Sequence, residues 1–218
     1  MTEPSLASII DHTLLKPDAT SDQIDTLCHE ALTYQFASVC VNPVWVAQCA
    51  ERLRGSRVRV CTVVGFPLGA TTTAVKATET EDAVQNGAAE IDVVLNIGWL
   101  KSGFFERVAA DITEVVRAAG TSVPVKVILE TGLLTDEEKK TACRISREAG
   151  AAFVKTSTGF AGSGATVRDI RLMREAVGPR MGVKASGGIR DYDTAIAMVH
   201  AGATRIGSSS SVAIIRQK

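Results

Sequence analysis

The chain has 218 residues, and its 24 Lys and Arg are balanced by 24 Asp and Glu, giving a formal net charge of zero. No whole-molecule field steers it toward nucleic acid or an anionic membrane, so neither is expected as a partner. With 45% hydrophobic and 22% charged residues and only six prolines, global disorder is excluded and a large core is available.

The N-terminal stretch MTEPSLASIIDHTLL has no basic segment followed by a long apolar run, so no export signal is expected. Residues 31–50 are uncharged over a membrane-like length, but Gln35, Asn42, Pro43 and Gln48 interrupt them and no span is predicted. Cys28, Cys40, Cys49, Cys61 and Cys143 are scattered and form no CxxC pair. They point to reduced thiols and a cytoplasmic protein.

Short Val- and Ile-rich runs alternate with longer segments of helical period, the pattern of βα units around a parallel sheet. Strands are predicted at 9–14, 38–41, 59–64, 90–95, 123–129, 153–156, 181–185 and 205–207, with helices between and after them. Six predicted helices end at Gly55, Gly87, Gly120, Gly150, Gly178 and Gly202. Thr20 with Gln23 and Thr135 with Glu138 have capping-box spacing, and Asp191 is placed to cap the helix after strand seven. Gly87-Ala88-Ala89, Gly150-Ala151-Ala152 and Gly202-Ala203-Thr204 each join a helix end to a strand start, a weak repeat of one structural unit. No linker divides the chain. The expectation is an α/β protein, a single (β/α)8 TIM barrel spanning residues 1–218 as one domain, with an open doubly wound sheet as the alternative.

In such a barrel, reactive groups gather at the C-terminal ends of the strands. Strand alternation puts Asp92, Val94 and Asn96 on one face and Ile91, Val93 and Leu95 on the other, which aims Asp92 into the barrel. A buried carboxylate there requires a cation. Lys126, Lys155 and Lys184 follow one another at intervals of 29 residues, which predicts comparable heights on strands five, six and seven. Lysine is rarely buried, so three of them with Asp92 and Glu130 point to chemistry rather than to solvated strand ends. Crowded ammonium groups and desolvation both disfavour charge, so one lysine can serve as the neutral amine of a Schiff-base nucleophile.

Other motifs narrow the choice. His12, His29 and His200 form neither HxH nor HExxH, so no metal is expected. His29 and His200 read as ordinary helix residues, and His12 stays open between the polar lining of the barrel mouth and a packed histidine. Ser186-Gly187-Gly188 after strand seven and Gly207-Ser208-Ser209-Ser210 after strand eight stand where barrels bind phosphate through amides and hydroxyls. Residues 159–164 read GxxGxG with no Lys-Ser/Thr following, so no nucleotide role is predicted. Cys40, near the mouth, reads as a small buried residue in preference to a site-lining thiol.

Several motifs in order carry a family resemblance: residues 10–15 IDHTLL, 63–69 VVGFPLG, 90–94 EIDVV, 126–131 KVILET, 155–160 KTSTGF and 184–190 KASGGIR. On these the chain resembles the deoxyribose-phosphate aldolases, class I aldolases of deoxyribose breakdown, over almost its whole length. The resemblance implies cleavage of a small phosphosugar, 2-deoxyribose 5-phosphate, to acetaldehyde and glyceraldehyde 3-phosphate without metal or other cofactor. It implies Lys155 as the Schiff-base lysine, Lys184 as the cation that favours its neutral form, Asp92 in proton transfer and Asp11 supporting the lysines from strand one. Thr158, Gly159, Ser186, Gly187, Gly188, Ser208 and Ser209 would bind the substrate and its phosphate. The chain ends at Ile214-Ile215-Arg216-Gln217-Lys218 without the tyrosine-ending tail of some longer members, so no role for that tail is carried over. Apolar helix faces are compatible with a homo-oligomer. Two rival functions remain: a phosphosugar isomerase using Asp92 as base, and a non-catalytic barrel that binds a phosphometabolite.

Overall fold

The computed structural model describes residues 5–217; Lys218 and the first four residues of the N-terminal stretch read above lie outside the described residues. Eight strands, β1 (Ile10–Leu14), β2 (Ser38–Val41), β3 (Arg59–Val64), β4 (Glu90–Val94), β5 (Val125–Ile128), β6 (Phe153–Lys155), β7 (Gly182–Ser186) and β8 (Arg205–Ser208), pair in parallel and in chain order. β8 closes back on β1. The sheet is therefore the predicted (β/α)8 barrel and not the open alternative, with strand bounds within about two residues of those read from apolar periodicity.

The helices are α1 (Ser21–Tyr34), α2 (Val46–Arg52), α3 (Thr73–Gln85), α4 (Ile97–Lys101), α5 (Phe105–Ala119), α6 (Asp136–Glu148), α7 (Val167–Val177), α8 (Tyr192–His200) and α9 (Ser211–Arg216). Their starts follow the sequence signals. Thr20 and Thr135 both close capping boxes, with Gln23 and Glu138 respectively, and Asp191 accepts from the Thr194 amide. The uncharged residues 31–50 are divided among the end of α1, β2 and the start of α2. No described helix is long and apolar enough to cross a membrane. All five cysteines are buried and free.

The core is unequally divided between the two faces of the barrel wall. Outward-facing Ile10, Val39, Val60, Ile91, Val127, Val154, Val183 and Ile206 join the apolar faces of the helices in one large cluster. Inside the barrel, Leu15, Cys40, Cys61 and Val63 form only a small patch, with Phe66 against it. Charged side chains fill much of the remaining interior. A further buried ion pair ties α3 to α5: Lys76 Nζ is 2.6 Å from Asp111 Oδ2 and donates to the Val94 carbonyl at the end of β4.

Candidate active site

Asp92 stands at the centre of the interior. Its Oδ1 accepts from Lys126 Nζ at 2.8 Å, and its Oδ2 accepts from both Lys155 Nζ and Lys184 Nζ at 2.8 Å. Lys184 also pairs with Asp11, which accepts from Arg205 at 3.0 Å and from Ser38 at 2.7 Å. Arg205 bonds Glu90 at 2.9 Å, and Glu90 lies 2.6 Å from Lys126. The pairs close a ring through Asp11, Arg205, Glu90, Lys126, Asp92 and Lys184, with Lys155 attached at Asp92.

Every carboxylate of the ring is fully buried, so its charge depends on its neighbours. Burial alone would raise the Asp92 pKa, but the ammonium groups of Lys126, Lys155 and Lys184 hold it well below the carboxylate range. At Asp11 burial is likewise outweighed, by Lys184, Lys126 and Arg205, and the pKa falls to about 2. Burial would lower the pKa of Lys184, yet Asp11 and Asp92 raise it above the ordinary lysine value; Asp92, Cys61 and Glu90 do the same for buried Lys126. Lys126, Lys184 and Arg205 are thus held as cations inside the protein.

Cys61 joins this network, donating its thiol to Asp92 Oδ1 at 3.2 Å and accepting from Lys126 at 3.3 Å. Burial and its contact with Cys40 push its pKa up, so it stays a thiol. Cys40, Cys61 and Asp92 bring ligand-type atoms within 4.8 Å of one another. Lysine ammonium groups donate to both Asp92 oxygens.

Of the four interior cations, Lys155 borders the open cavity at the C-terminal end of the barrel, a space of about 250 Å³. Thr158, Gly159 and Phe160 form one part of its wall, and Ser186, Gly187, Gly188, Ser208 and Ser209 another. Gly187 and Gly188 both have positive φ, 90° and 78°, which a side chain would disfavour. The backbone amides of Gly187, Gly188 and Ser209 donate to no acceptor among the described residues. Lys16 and Arg190 add cationic side chains to the same cavity. Free amides and cationic side chains lining one pocket favour an anion.

The structure gathers all seven predicted binding positions with Lys155 around one cavity, and places Asp92, Lys184 and Asp11 beneath it. Two details differ from the sequence reading, and a third decides a choice that it left open. Lys155 pairs in register with Lys184, but Lys126 pairs with Phe153 and so lies two residues lower. Equal sequence spacing did not give equal height because neighbouring strands of a closed barrel are staggered. Second, two of the three serine hydroxyls expected to bind phosphate are committed to the protein: Ser186 donates to the Ser157 carbonyl at 2.6 Å and Ser208 to the Ile189 carbonyl at 2.7 Å. Third, strand alternation turns His12 away from Asp11 and out toward α1, where Nε2 is 2.7 Å from Glu30 Oε2 and the ring packs on Phe36. Cys40 packs with Cys61 and Val63 as the sequence reading favoured. The sequence reading does not single out Arg205 and Glu90 as ring members or Cys61 as their neighbour, although an Arg, a Glu and a Cys in otherwise apolar strands are the available signal.

Residues 6–216 match the profile of the DeoC/LacD family of aldolases. The deoxyribose-phosphate aldolase of Brevibacillus brevis strain 47 is 64% identical over 206 residues, which cover 94% of this chain and 93% of that one. The deoxyribose-phosphate aldolase of Streptococcus gordonii strain Challis is 63% identical over 211 residues, covering 97% and 96%. Among solved structures, the deoxyribose phosphate aldolase of Aeropyrum pernix, described as having a unique tetrameric structure, superposes with a TM-score of 0.90 at 38% identity, over 97% of this chain and 89% of that one. With its barrel, its ring of buried lysines and these matches along nearly its whole length, the chain belongs to the DeoC/LacD family of aldolases.

Proposed function

We propose that this chain, acting as one catalytic barrel, reversibly cleaves 2-deoxyribose 5-phosphate to acetaldehyde and glyceraldehyde 3-phosphate through a Schiff base on Lys155. The observation that carries the reading is the position of Lys155. It is the one of the three interior lysines that meets the cavity, and it can give up its proton there while Lys126 and Lys184 still neutralise Asp92.

Lys155 Nζ, as the free amine, adds to the aldehyde carbon of the open-chain sugar, and loss of water from the carbinolamine leaves an iminium. A base removes the proton of the C3 hydroxyl, the C2–C3 bond breaks, and its electron pair moves into the iminium. Glyceraldehyde 3-phosphate leaves, and an enamine of the two-carbon fragment remains on Lys155. Protonation at C2 and hydrolysis of the restored iminium release acetaldehyde and regenerate the amine. The iminium serves as electron sink because it accepts charge that the aldehyde alone accepts poorly. Asp92 moves the protons of the carbinolamine and enamine steps, and Lys184 and Asp11 hold it and Lys155 in place. The amides of Gly187, Gly188 and Ser209, with Ser186, Ser208, Thr158 and Gly159 shaping the pocket, receive the phosphate. Buried free thiols suit a cytoplasmic enzyme, and the tetrameric relative supports assembly of this chain with copies of itself.

Incubation with deoxyribose 5-phosphate and borohydride, followed by peptide mapping, tests the reading. A single adduct on Lys155, absent from Lys155→Ala, is expected. An adduct on Lys184 would reverse the two lysine roles. Substrate isomerised without any adduct would instead establish the isomerase reading, and saturable binding without turnover would leave only a binding barrel.

A further inference from the structure

Glu130 lies two residues beyond the end of β5 and is absent from the ion-pair ring. Its backbone is left-handed, with φ 56° and ψ 62°, a conformation that a glutamate adopts at a cost in strain. The turn is nevertheless firmly stapled: the Thr131 amide donates to the Thr156 carbonyl at 3.0 Å, and the Leu133 amide donates to the Glu130 carbonyl at 2.9 Å. The side chain is 2% exposed and makes no ion pair among the described residues. One carboxylate oxygen, Oε1, has no partner in the structure, while the other, Oε2, accepts from both the amide and the hydroxyl of Thr158.

A buried carboxylate without a cation is costly, and packing alone would favour an apolar residue at this position. Its remaining polar contacts identify what it does. The Thr158 hydroxyl that donates to Glu130 accepts in turn from the Phe160 amide at 3.0 Å. Phe160 meets Phe66 edge to face, with ring centroids 5.2 Å apart. One carboxylate therefore sets the course of Thr158, Gly159 and Phe160, three consecutive residues of the cavity wall beside Lys155. Because the Thr158 hydroxyl is committed to Glu130, Thr158 does not donate it to a phosphate.

We propose that Glu130 is a positioning residue: it fixes the Thr158–Gly159–Phe160 wall against which the phosphosugar, but not a two-carbon aldehyde, must fit. The inference rests on the aldolase reading above and adds to it the determinant of the fit of the larger substrate. Charge-assisted bonds from Thr158 to one carboxylate oxygen give the wall a single geometry, and removing the carboxylate releases both donors together.

The test compares two substrates that share the Lys155 chemistry and differ in size. For Glu130→Ala, KM for deoxyribose 5-phosphate rises about tenfold or more, the loss expected when charged hydrogen bonds disappear. Borohydride trapping of acetaldehyde on Lys155 stays within about twofold of the unaltered protein. Glu130→Gln keeps an oxygen that can accept from Thr158 and restores most of the KM. Thr158→Val, which cuts the same link from its other end, raises KM as Glu130→Ala does and serves if that variant does not fold. An unchanged KM in both Glu130→Ala and Thr158→Val overturns the inference. A parallel fall in turnover and acetaldehyde trapping also overturns it, since that marks general loss of structure. If the unaltered protein forms no adduct with either aldehyde, the aldolase reading itself fails, an outcome distinct from failure of the Glu130 role.

Discussion

Lys184→Met isolates the electrostatic part of the proposed chemistry. Lys155 and Lys184 each lie 2.8 Å from Asp92 Oδ2, so their nitrogens are at most twice that distance, 5.6 Å, apart. At an effective dielectric of about 20, two like charges at that separation repel by about 3 kcal/mol, or roughly two decades in an equilibrium. Asp11 and Asp92 keep Lys184 charged against the effect of its burial, so this repulsion is present throughout the neutral range. With Met in its place, the interior holds the carboxylates Asp11, Glu90 and Asp92 against the cations Lys126, Lys155 and Arg205. Deprotonating Lys155 to the attacking amine then discharges a cation that the buried carboxylates need. The pH at which acetaldehyde trapping on Lys155 is half-maximal should rise by on the order of two units, and full trapping should return at alkaline pH because Lys155 is intact. Borohydride reduction across the neutral to alkaline range, quantified by intact mass, measures the displacement. A trapping profile that does not move, or moves toward acid, refutes the electrostatic role of Lys184.

Acid stability gives a second test. Asp11 ordinarily titrates near 3.8 and is lowered here to about 2, so it contributes on the order of 2 kcal/mol of stability, present above about pH 4 and lost as pH falls toward 2. Asp92, also depressed, acts in the same direction. Unfolding free energy of Asp11→Asn should depend less steeply on pH across this window than that of the unaltered protein; equal slopes would contradict the assignment. Away from the cavity, Lys76→Met leaves the buried Asp111 carboxylate without its cation and the Val94 carbonyl without its donor. The expected loss is about 3–5 kcal/mol, or roughly 6–20 °C in Tm for a chain of this size. Adding Asp111→Asn removes the stranded charge and keeps an acceptor for Thr73, so urea denaturation should show the double variant recovering at least half of the loss. A double variant no more stable than Lys76→Met would refute the ion-pair account.

Much of this architecture can be read from residue order because its determinants are local. Short Val- and Ile-rich runs place all eight strands, and Thr20, Thr135 and Asp191 mark helix starts that the structure caps as expected. Asp92 could be aimed inward because Ile91, Val93 and Leu95 occupy the opposite side of the same strand. What resisted reading depends on contacts between distant segments. The height of Lys126 relative to Lys155 follows from how β5 is staggered against β6, and no spacing within one strand encodes that offset. Ser186, Ser208 and Thr158 lie where a phosphate site was expected, but the direction of each hydroxyl depends on acceptors elsewhere, at Ser157, Ile189 and Glu130. Arg205 closes the ring from β8, 194 residues beyond its partner Asp11.

The same long-range closure explains how three chemically identical lysines take different parts. Lys126 lies deepest, between Glu90 and Asp92, and Lys184 lies between Asp11 and Asp92, so deprotonating either removes a cation shared by two buried carboxylates. Lys155 touches one carboxylate, and that carboxylate keeps two other ammonium donors when Lys155 reacts. Counted over the buried groups of the network, Asp11, Glu90 and Asp92 are balanced by Lys126, Lys184 and Arg205, and Lys155 is the cation in excess, while Arg59, which also reaches Glu90, stays half exposed to water. A low-dielectric interior disfavours an uncompensated charge. Its relief coincides with the one position among these cations that opens to the cavity. Charge balance and access select the same residue, and the strand stagger that places Lys126 lower also keeps it from competing.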